Sequence, residues 1–196
     1  MDEFDSLFEQ GHALIEQQMW KKAIEKLEQA AKIDPSYSEL WFELGVAYDS
    51  IDQVGKAINS YKRALKIEPD NIRILNNLAN TYRDVGEFSK AEECYDKIFE
   101  INPNSLIGWF SRAETLKWKG DLEGAIEGAK HTIQLAEQQK NAYFSAAGHY
   151  NLACYFTLSG NKEAAKEHLE EALEINPEFE DNARNDSDLE DLNYFE

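Results

Sequence analysis

Apolar and small side chains recur along the chain at spacings of three and four residues, which is the period of an α-helix. In one stretch, for example, Trp41, Leu44, Gly45 and Tyr48 lie at positions i, i+3, i+4 and i+7. Short polar turns separate such stretches, and several of them end at an Ile-x-Pro motif. Because proline cannot continue a helix, the pattern predicts an all-α chain of short helices that end at regular intervals.

These prolines define a repeat. Pro35, Pro69 and Pro103 are spaced by 34 residues, and Pro177 follows after two such periods plus six residues. A frame of 34 places that starts at Phe4 gives five repeats of two helices each: 4–37, 38–71, 72–105, 106–145 and 146–179. The pattern predicts a single repeat domain over residues 1–179 and an acidic cap or tail over residues 180–196.

Equivalent places in the five repeats carry similar side chains. Place 8 holds only glycine or alanine, and place 20 holds only alanine (Ala23, Ala57, Ala91, Ala125 and Ala165). Small residues at these two places allow the two helices of a repeat to approach closely. Place 15 holds glycine in the last three repeats, which suits the left-handed residue at the end of a first helix.

The segment Trp41-Phe-Glu-Leu44-Gly45-Val-Ala-Tyr48, followed by Ala57, Tyr61 and Pro69, resembles the tetratricopeptide repeat (TPR) motif. The resemblance covers residues 4–179. Repeat 4 departs from it, because Arg112 replaces the usual leucine and Glu137 stands where proline belongs. The resemblance implies a right-handed α-solenoid of five TPR helix hairpins, a concave groove lined by the first helix of each repeat, and a role in binding proteins.

The six extra residues of repeat 4 predict two longer helices, at about 121–138 and 142–159, since dividing them between neighbouring helices preserves the antiparallel pairing. Tyr143 and Phe144 would then stand on a protruding lip or pack between the extended helices. The stretch 149–192 is similar to the segment that often ends a group of TPR hairpins, and eight of the residues after Pro177 are acidic. Leu189 and Leu192 are expected to form a short helix that caps the last hairpin.

Composition restricts the partners. The net charge is −18, from 38 acidic and 20 basic residues, so nucleic acid and anionic membrane surfaces are not expected partners. No apolar run is long enough to span a membrane, and the N-terminus lacks the features of a signal peptide. The two cysteines, Cys94 and Cys154, are too few for a secreted disulfide framework, which favours a cytoplasmic protein with reduced thiols.

Place 5 of the first helices forms a candidate binding rib, since on a helical wheel it flanks the apolar stripe. Four of its five residues are aromatic, and the rib consists of Phe8, Phe42, Asn76, Phe110 and Tyr150. Aromatic side chains in a groove suit a peptide with apolar anchors. The alternative is that these side chains pack against the neighbouring first helix.

A basic and amide-rich band crosses the middle of the same predicted groove, made of Arg73, Asn77, Asn80, Arg83 and Lys117. Arginine binds carboxylates in bidentate fashion, and asparagine binds both the N–H and the C=O of an extended peptide. Asn76, Asn77 and Asn80 resemble the asparagine ladders with which some TPR proteins hold a peptide backbone. The alternative is that Arg73 and Arg83 neutralise nearby acids such as Asp84.

One TPR subclass grips the C-terminal carboxylates of chaperones with a set of basic and amide side chains. The corresponding places in repeats 1–3 hold Phe8, His12, Glu43, Arg73 and Asn77, of which only Arg73 is compatible. Binding of chaperone tails by that mechanism is therefore not expected.

Catalytic motifs are not found in the sequence. It has no nucleotide-binding glycine loop, no Gly-x-Ser-x-Gly and no His-Glu-x-x-His, and its four histidines fall at unrelated places of the repeat. We therefore expect no catalytic site, no cofactor and no metal. His149, at a core place, is expected to be a partly buried, hydrogen-bonded side chain.

Together these features predict an interaction scaffold or adaptor, as a monomer or weak homo-oligomer, that binds a peptide or partner protein in the concave groove. Two alternatives stay open at this point. The protein is a self-associating scaffold, or it is an accessory subunit of an enzyme complex without catalysis of its own.

Overall fold

The computed structural model describes residues 2–195, and its regular elements are all helical. The chain divides into two compact units, residues 1–101 and 102–196. The first unit contains the hairpins α1 (Glu3–Glu16) with α2 (Trp20–Ile33), α3 (Ser38–Asp49) with α4 (Val54–Ile67), and α5 (Ile72–Asp84) with α6 (Phe88–Ile101). The all-α fold of helix hairpins is thus confirmed.

The second unit contains two hairpins and a cap. The hairpins are α7 (Leu106–Lys119) with α8 (Leu122–Gln138) and α9 (Ala142–Leu158) with α10 (Lys162–Ile175). The cap consists of α11 (Phe179–Asn185) and a 3₁₀ segment, Ser187–Leu192. Leu189 is 5% exposed and Leu192 is 2% exposed, and both pack into the core of this unit, as the sequence predicts.

Proline sets the length of the second helices. In four of the hairpins the second helix ends two residues before the proline, at Ile33, Ile67, Ile101 and Ile175. Repeat 4 has Glu137 at this place, and α8 continues to Gln138. Both α8 and α9 have 17 residues, whereas the other eight hairpin helices have 12 to 14, which confirms the predicted lengthening.

Place 15 adopts the left-handed conformation in all five repeats. The φ angles are 56° at Gln18, 58° at Asp52, 76° at Gly86, 88° at Gly120 and 83° at Gly160. Each of these residues follows a first helix and reverses the chain into the second helix. Gln18 and Asp52 hold this conformation although they have a Cβ atom, which costs about 1 kcal/mol relative to glycine.

Replacing Gln18 with glycine is therefore expected to raise the free energy of unfolding, by about 0.5–1 kcal/mol after the loss of backbone entropy is subtracted. Chemical denaturation measures the change. The neighbouring Gln17, whose φ angle is −83°, provides the control, since Gln17→Gly should destabilise the protein. Equal effects of the two substitutions would contradict this account of the turn.

No helix in residues 2–195 combines the length and the hydrophobicity that crossing a membrane requires.

Candidate functional site

In the first unit, polar contacts join the first helices α1, α3 and α5 into one surface, called here the first-helix face. His12 Nδ1 lies 2.5 Å from Glu43 Oε1, which links α1 to α3. Arg73 forms an ion pair with Glu39, which links α5 to α3. The face is thus built from side chains of three consecutive repeats.

Glu43 is the most deeply buried acid of this face. The residue is 4% exposed, and burial raises the pKa of its carboxyl group. The hydrogen bond to Glu43 raises the pKa of His12 above its ordinary value. His12 contacts only one of the two carboxylate oxygens, and Oε2 is buried without a hydrogen-bond partner among the described residues.

Phe42 and Arg73 from the predicted site form a stacked pair. Phe42 is 8% exposed and lies in the core of the unit, with its ring centroid 6.0 Å from that of Tyr61. The guanidinium group of Arg73 lies 4.0 Å from the Phe42 centroid while it pairs with Glu39. A partner would reach Phe42 only after Arg73 moved.

Arg83 donates a hydrogen bond from Nε to Asp84 Oδ1 at 2.9 Å. This contact, with the Arg73–Glu39 pair, agrees with the interpretation that the two arginines neutralise neighbouring acids in the free protein. A partner carboxylate would therefore compete with Glu39 and Asp84 for these bases.

The three predicted asparagines differ in how well they are satisfied. Asn77 Nδ2 donates to the backbone carbonyl of Arg73 at 2.9 Å, and Asn80 Oδ1 accepts from Tyr95 Oη at 3.3 Å. Asn76 is 4% exposed, and its Oδ1 has no hydrogen-bond partner in the described part of the chain. Asn76 is thus a second buried acceptor on this face that a ligand could satisfy.

In the second unit, aromatic side chains of α7, α9 and α11 contact one another. Phe110 lies edge to face with Phe144, with centroids 5.8 Å apart, and Phe144 contacts Tyr143 at 5.5 Å. Tyr150 lies 5.3 Å from Phe179 of the cap. Tyr143 is 60% exposed, whereas Phe144 is half-buried, so the predicted lip consists of Tyr143 alone.

Two further residues of the predicted site bind acids of the cap. Tyr150 Oη donates to Asp186 Oδ2 at 2.6 Å, and Lys117 Nζ lies 2.5 Å from Asp188 Oδ2. Burial raises the pKa of Tyr150, so its hydroxyl keeps the proton that it donates. These positions do recognise carboxylates, but the carboxylates belong to the same chain. Repeat periodicity could not reveal this contact, because the cap lies outside the repeats.

Cys154, Asp186 and Asp188 place possible metal-ligand atoms within 4.8 Å of one another. Burial raises the pKa of the Cys154 thiol well above its ordinary value, which keeps the sulfur protonated. The ammonium group of Lys117 already supplies a positive charge to Asp188. Hydrogen bonds and an ion pair within the unit therefore explain why Cys154, Asp186 and Asp188 lie close together.

His149 and His168 form a pair that the sequence analysis missed, having placed the histidines at unrelated positions. Their Nδ1 atoms lie 3.0 Å apart across α9 and α10, and the Phe156 ring stacks on His168 with centroids 5.5 Å apart. The expectation that His149 is partly buried and hydrogen-bonded is confirmed. Burial lowers the pKa of both imidazoles below the ordinary histidine value of 6.5.

This pair predicts a loss of stability on acidification. Because the folded-state pKa values lie below the unfolded value of 6.5, the unfolded chain takes up protons first as the pH falls. The contribution of the two histidines to the free energy of unfolding is fully present above pH 6.5. It is lost as the pH falls from 6.5 through the lowered pKa values of the folded state. The melting temperature should thus fall less between neutral and mildly acidic pH in His168→Gln than in the unsubstituted protein. An identical fall in both would contradict the account.

The fold and the polar faces described above define a helix-hairpin repeat protein. Sequence profiles of the tetratricopeptide repeat match residues 72–105 and 146–179, and profiles described as TPR repeat match residues 11–51 and 52–86. The chain therefore belongs to the tetratricopeptide repeat family. Comparison with curated protein sequences finds no match.

Solved structures agree in fold. Residues 41 to the end of MamA from Desulfovibrio magneticus RS-1 match with a TM-score of 0.73 and 13% identity, covering 92% of this chain and 98% of that one. Another crystal structure of MamA has a TM-score of 0.69 and 18% identity, with coverages of 91% and 96%. The APC/C hetero-tetramer Cut9–Hcn1 has a TM-score of 0.74 and 16% identity, covering 89% of this chain and 34% of that one. These identities, all below 25%, establish similarity of fold.

Proposed function

We propose that this protein is a non-catalytic scaffold that binds a peptide or an extended segment of a partner protein on the first helices of its hairpins. One observation carries the proposal. Three buried polar atoms on these helices have no hydrogen-bond partner within residues 2–195: Glu43 Oε2 on α3 and Asn76 Oδ1 on α5 in the first unit, and Asn151 Nδ2 on α9 in the second.

Such atoms favour a ligand because a buried polar group that lacks a partner costs about 1–3 kcal/mol. An extended peptide presents both N–H donors and C=O acceptors along its length. Glu43 Oε2 and Asn76 Oδ1 require donors, while Asn151 Nδ2 requires an acceptor. A peptide backbone bound on either unit would therefore offer the kind of group that the side chains of that unit lack.

The other residues of the predicted site complete the proposed surface. Arg73, Asn77, Asn80 and Arg83 lie on α5 together with Asn76, and Phe42 lies beneath Arg73. In the second unit, Phe110 contacts Phe144. Lys117 pairs with Asp188, and Tyr150 donates a hydrogen bond to Asp186. Any partner carboxylate at Lys117 or Tyr150 would have to replace the acids of the cap.

The partner is proposed to be a protein, and the compartment is proposed to be the cytoplasm, where the two free, buried thiols would stay reduced. A repeat protein of similar fold, Cut9, occurs in a hetero-tetramer with Hcn1. This precedent supports an assembly role for the present chain. Sedimentation measurements at several concentrations would separate binding of a different protein from self-association.

Asn76→Leu tests the proposal. Leucine has the same branching as asparagine and removes the unsatisfied carbonyl, so the free energy of unfolding should rise by about 1 kcal/mol. Capture of partners from a native lysate, quantified by mass spectrometry, should fall at the same time. This combination separates a binding residue from a structural one.

The control makes the same chemical change at an exposed position, Asn182→Leu on α11. It should leave capture unchanged. Capture by the Asn76→Leu protein at the level of the control would contradict the placement of the site on the first-helix face.

A further inference from the structure

A basic cleft lies in the first unit between the second helices α2 and α4. Its volume is about 780 Å³, and Trp41 and Leu44 of α3 contribute to its lining. Five exposed basic side chains surround it: Lys32, Lys56, Lys62, Arg63 and Lys66. One acid, Glu28, also lines the cleft, and its carboxylate accepts a hydrogen bond from the hydroxyl group of Tyr48.

The charge of this cleft is opposite to that of the chain. Acidic residues outnumber basic ones by 38 to 20 overall, yet α4 carries four bases and no acid. By Coulomb attraction alone, such a cluster would be expected to recruit nearby carboxylates of the same molecule. The absence of acids from α4 leaves the cluster with a net positive charge.

The bases of the cleft differ in their contacts from the three bases of the predicted binding site. Arg73, Arg83 and Lys117 all pair with carboxylates. Among residues 2–195, none of the five cleft bases forms an ion pair with a carboxylate. Three of them lie instead over aromatic rings: Arg63 at 4.4 Å from the Trp41 centroid, Lys56 at 4.9 Å from that of Tyr48 and Lys62 at 5.7 Å from that of Tyr82.

We propose that this cleft binds an acidic segment of a partner protein, at a surface separate from the first-helix face. Carboxylates in the cleft would supply the counter-ions that the five bases lack. Arg63 and Lys56 are already held over aromatic rings, which limits the side-chain entropy lost on binding. Nucleic acid is a poorer occupant, because its dense negative charge would meet the field of a protein with a net charge of −18.

The geometry of α4 sets the spacing of the acids. Lys56 and Arg63 are seven residues apart on one helix, so they are separated by about 10 Å along its axis. An extended chain advances about 3.3 Å per residue. Two acidic residues separated by two others, as in Asp/Glu-x-x-Asp/Glu, would therefore reach both bases.

A library of random 12-residue peptides displayed on phage tests the proposal with three forms of the full chain. The unsubstituted protein should enrich peptides with acidic residues at a spacing of three. The Lys56→Gln/Arg63→Gln protein should lose this enrichment. The control is Lys21→Gln/Lys22→Gln, which removes the same charge from exposed residues of α2 outside the cleft and should keep it.

Fluorescence polarisation of one enriched peptide then gives the size of the effect. We expect the dissociation constant to rise about tenfold or more in Lys56→Gln/Arg63→Gln, and to rise with salt in the unsubstituted protein. The substituted side chains are exposed, and circular dichroism verifies that each variant is folded. Asn76→Leu should leave the affinity unchanged, which distinguishes this cleft from the first-helix face.

Two results would overturn the proposal. The first is enrichment of peptides without acidic residues, or equal enrichment by all three forms. The second is that no acidic peptide is enriched, while inorganic phosphate raises the melting temperature of the unsubstituted protein but not that of Lys56→Gln/Arg63→Gln. The cleft would then be specific for phosphate.

Discussion

Replacing Gly45 with leucine is expected to lower the free energy of unfolding by about 1–3 kcal/mol or more, because it forces extra atoms into a closely packed helix contact. A Cβ atom at Gly45 would lie 2.6 Å from Tyr61 Cδ1, a distance that real structures do not show. Tyr61 is 1% exposed, so its ring has no space into which it can move. Chemical denaturation followed by circular dichroism measures the change.

Gly55 provides a matched control in the same hairpin. A Cβ atom there would meet nothing within 4 Å, and Gly55 is exposed in the first turns of α4. Gly55→Leu should raise stability slightly, by about 0.5–1 kcal/mol, since glycine is a poor helix former. If Gly45→Leu and Gly55→Leu had similar effects, the assignment of Gly45 to a place of close helix contact would be wrong.

Replacing both Leu189 and Leu192 with alanine should lower stability by about 2 kcal/mol or more, the usual cost of truncating even one buried leucine. Both side chains pack into the same core as Leu152, Leu169 and Ala183. Detachment of the cap would also expose apolar surface of α9, so molecules of the variant should tend to associate with one another.

The comparison for this prediction is Glu190→Ala, which changes an exposed side chain of the same 3₁₀ segment. Melting temperature and sedimentation together measure stability and association. A double variant that melted with the control and stayed monomeric would mean that residues 187–192 do not close the end of the last hairpin.

Repeat periodicity predicted those features of the fold that depend on local sequence. The helix ends follow from proline, and the greater length of α8 and α9 follows from six inserted residues. The close approach of the two helices at place 8 also follows from the frame, since a Cβ atom at Gly11 or Gly45 would meet the side chain of Leu27 or Tyr61. Each of these features repeats, so several copies of the same evidence reinforce one another.

Features that occur once were harder to predict. The contacts of Lys117 and Tyr150 with the cap join residues that are not related by the repeat, as does the pairing of His149 with His168. The basic cleft did leave a signal in the sequence, namely a helix with four bases and no acid in a strongly acidic chain. Net charge concealed it, because a sum over the chain does not show where the charges lie.

The candidate site illustrates the same distinction. Helical spacing correctly placed Asn76 on a first helix, but it could not show that Asn76 is buried with an unsatisfied oxygen. It also could not show that Arg73 covers Phe42 and pairs with Glu39. These contacts depend on how neighbouring hairpins stack, and a single repeat does not encode that.

Hydrogen exchange of the protein with and without the partner captured from lysate tests the central proposal most directly. We expect binding to slow exchange in peptides from α3 and α5, with the effect reduced in the Asn76→Leu protein. Protection confined to α2 and α4, or to the cap, with α3 and α5 exchanging as in the free protein, would contradict the assignment of the first helices as the principal binding surface.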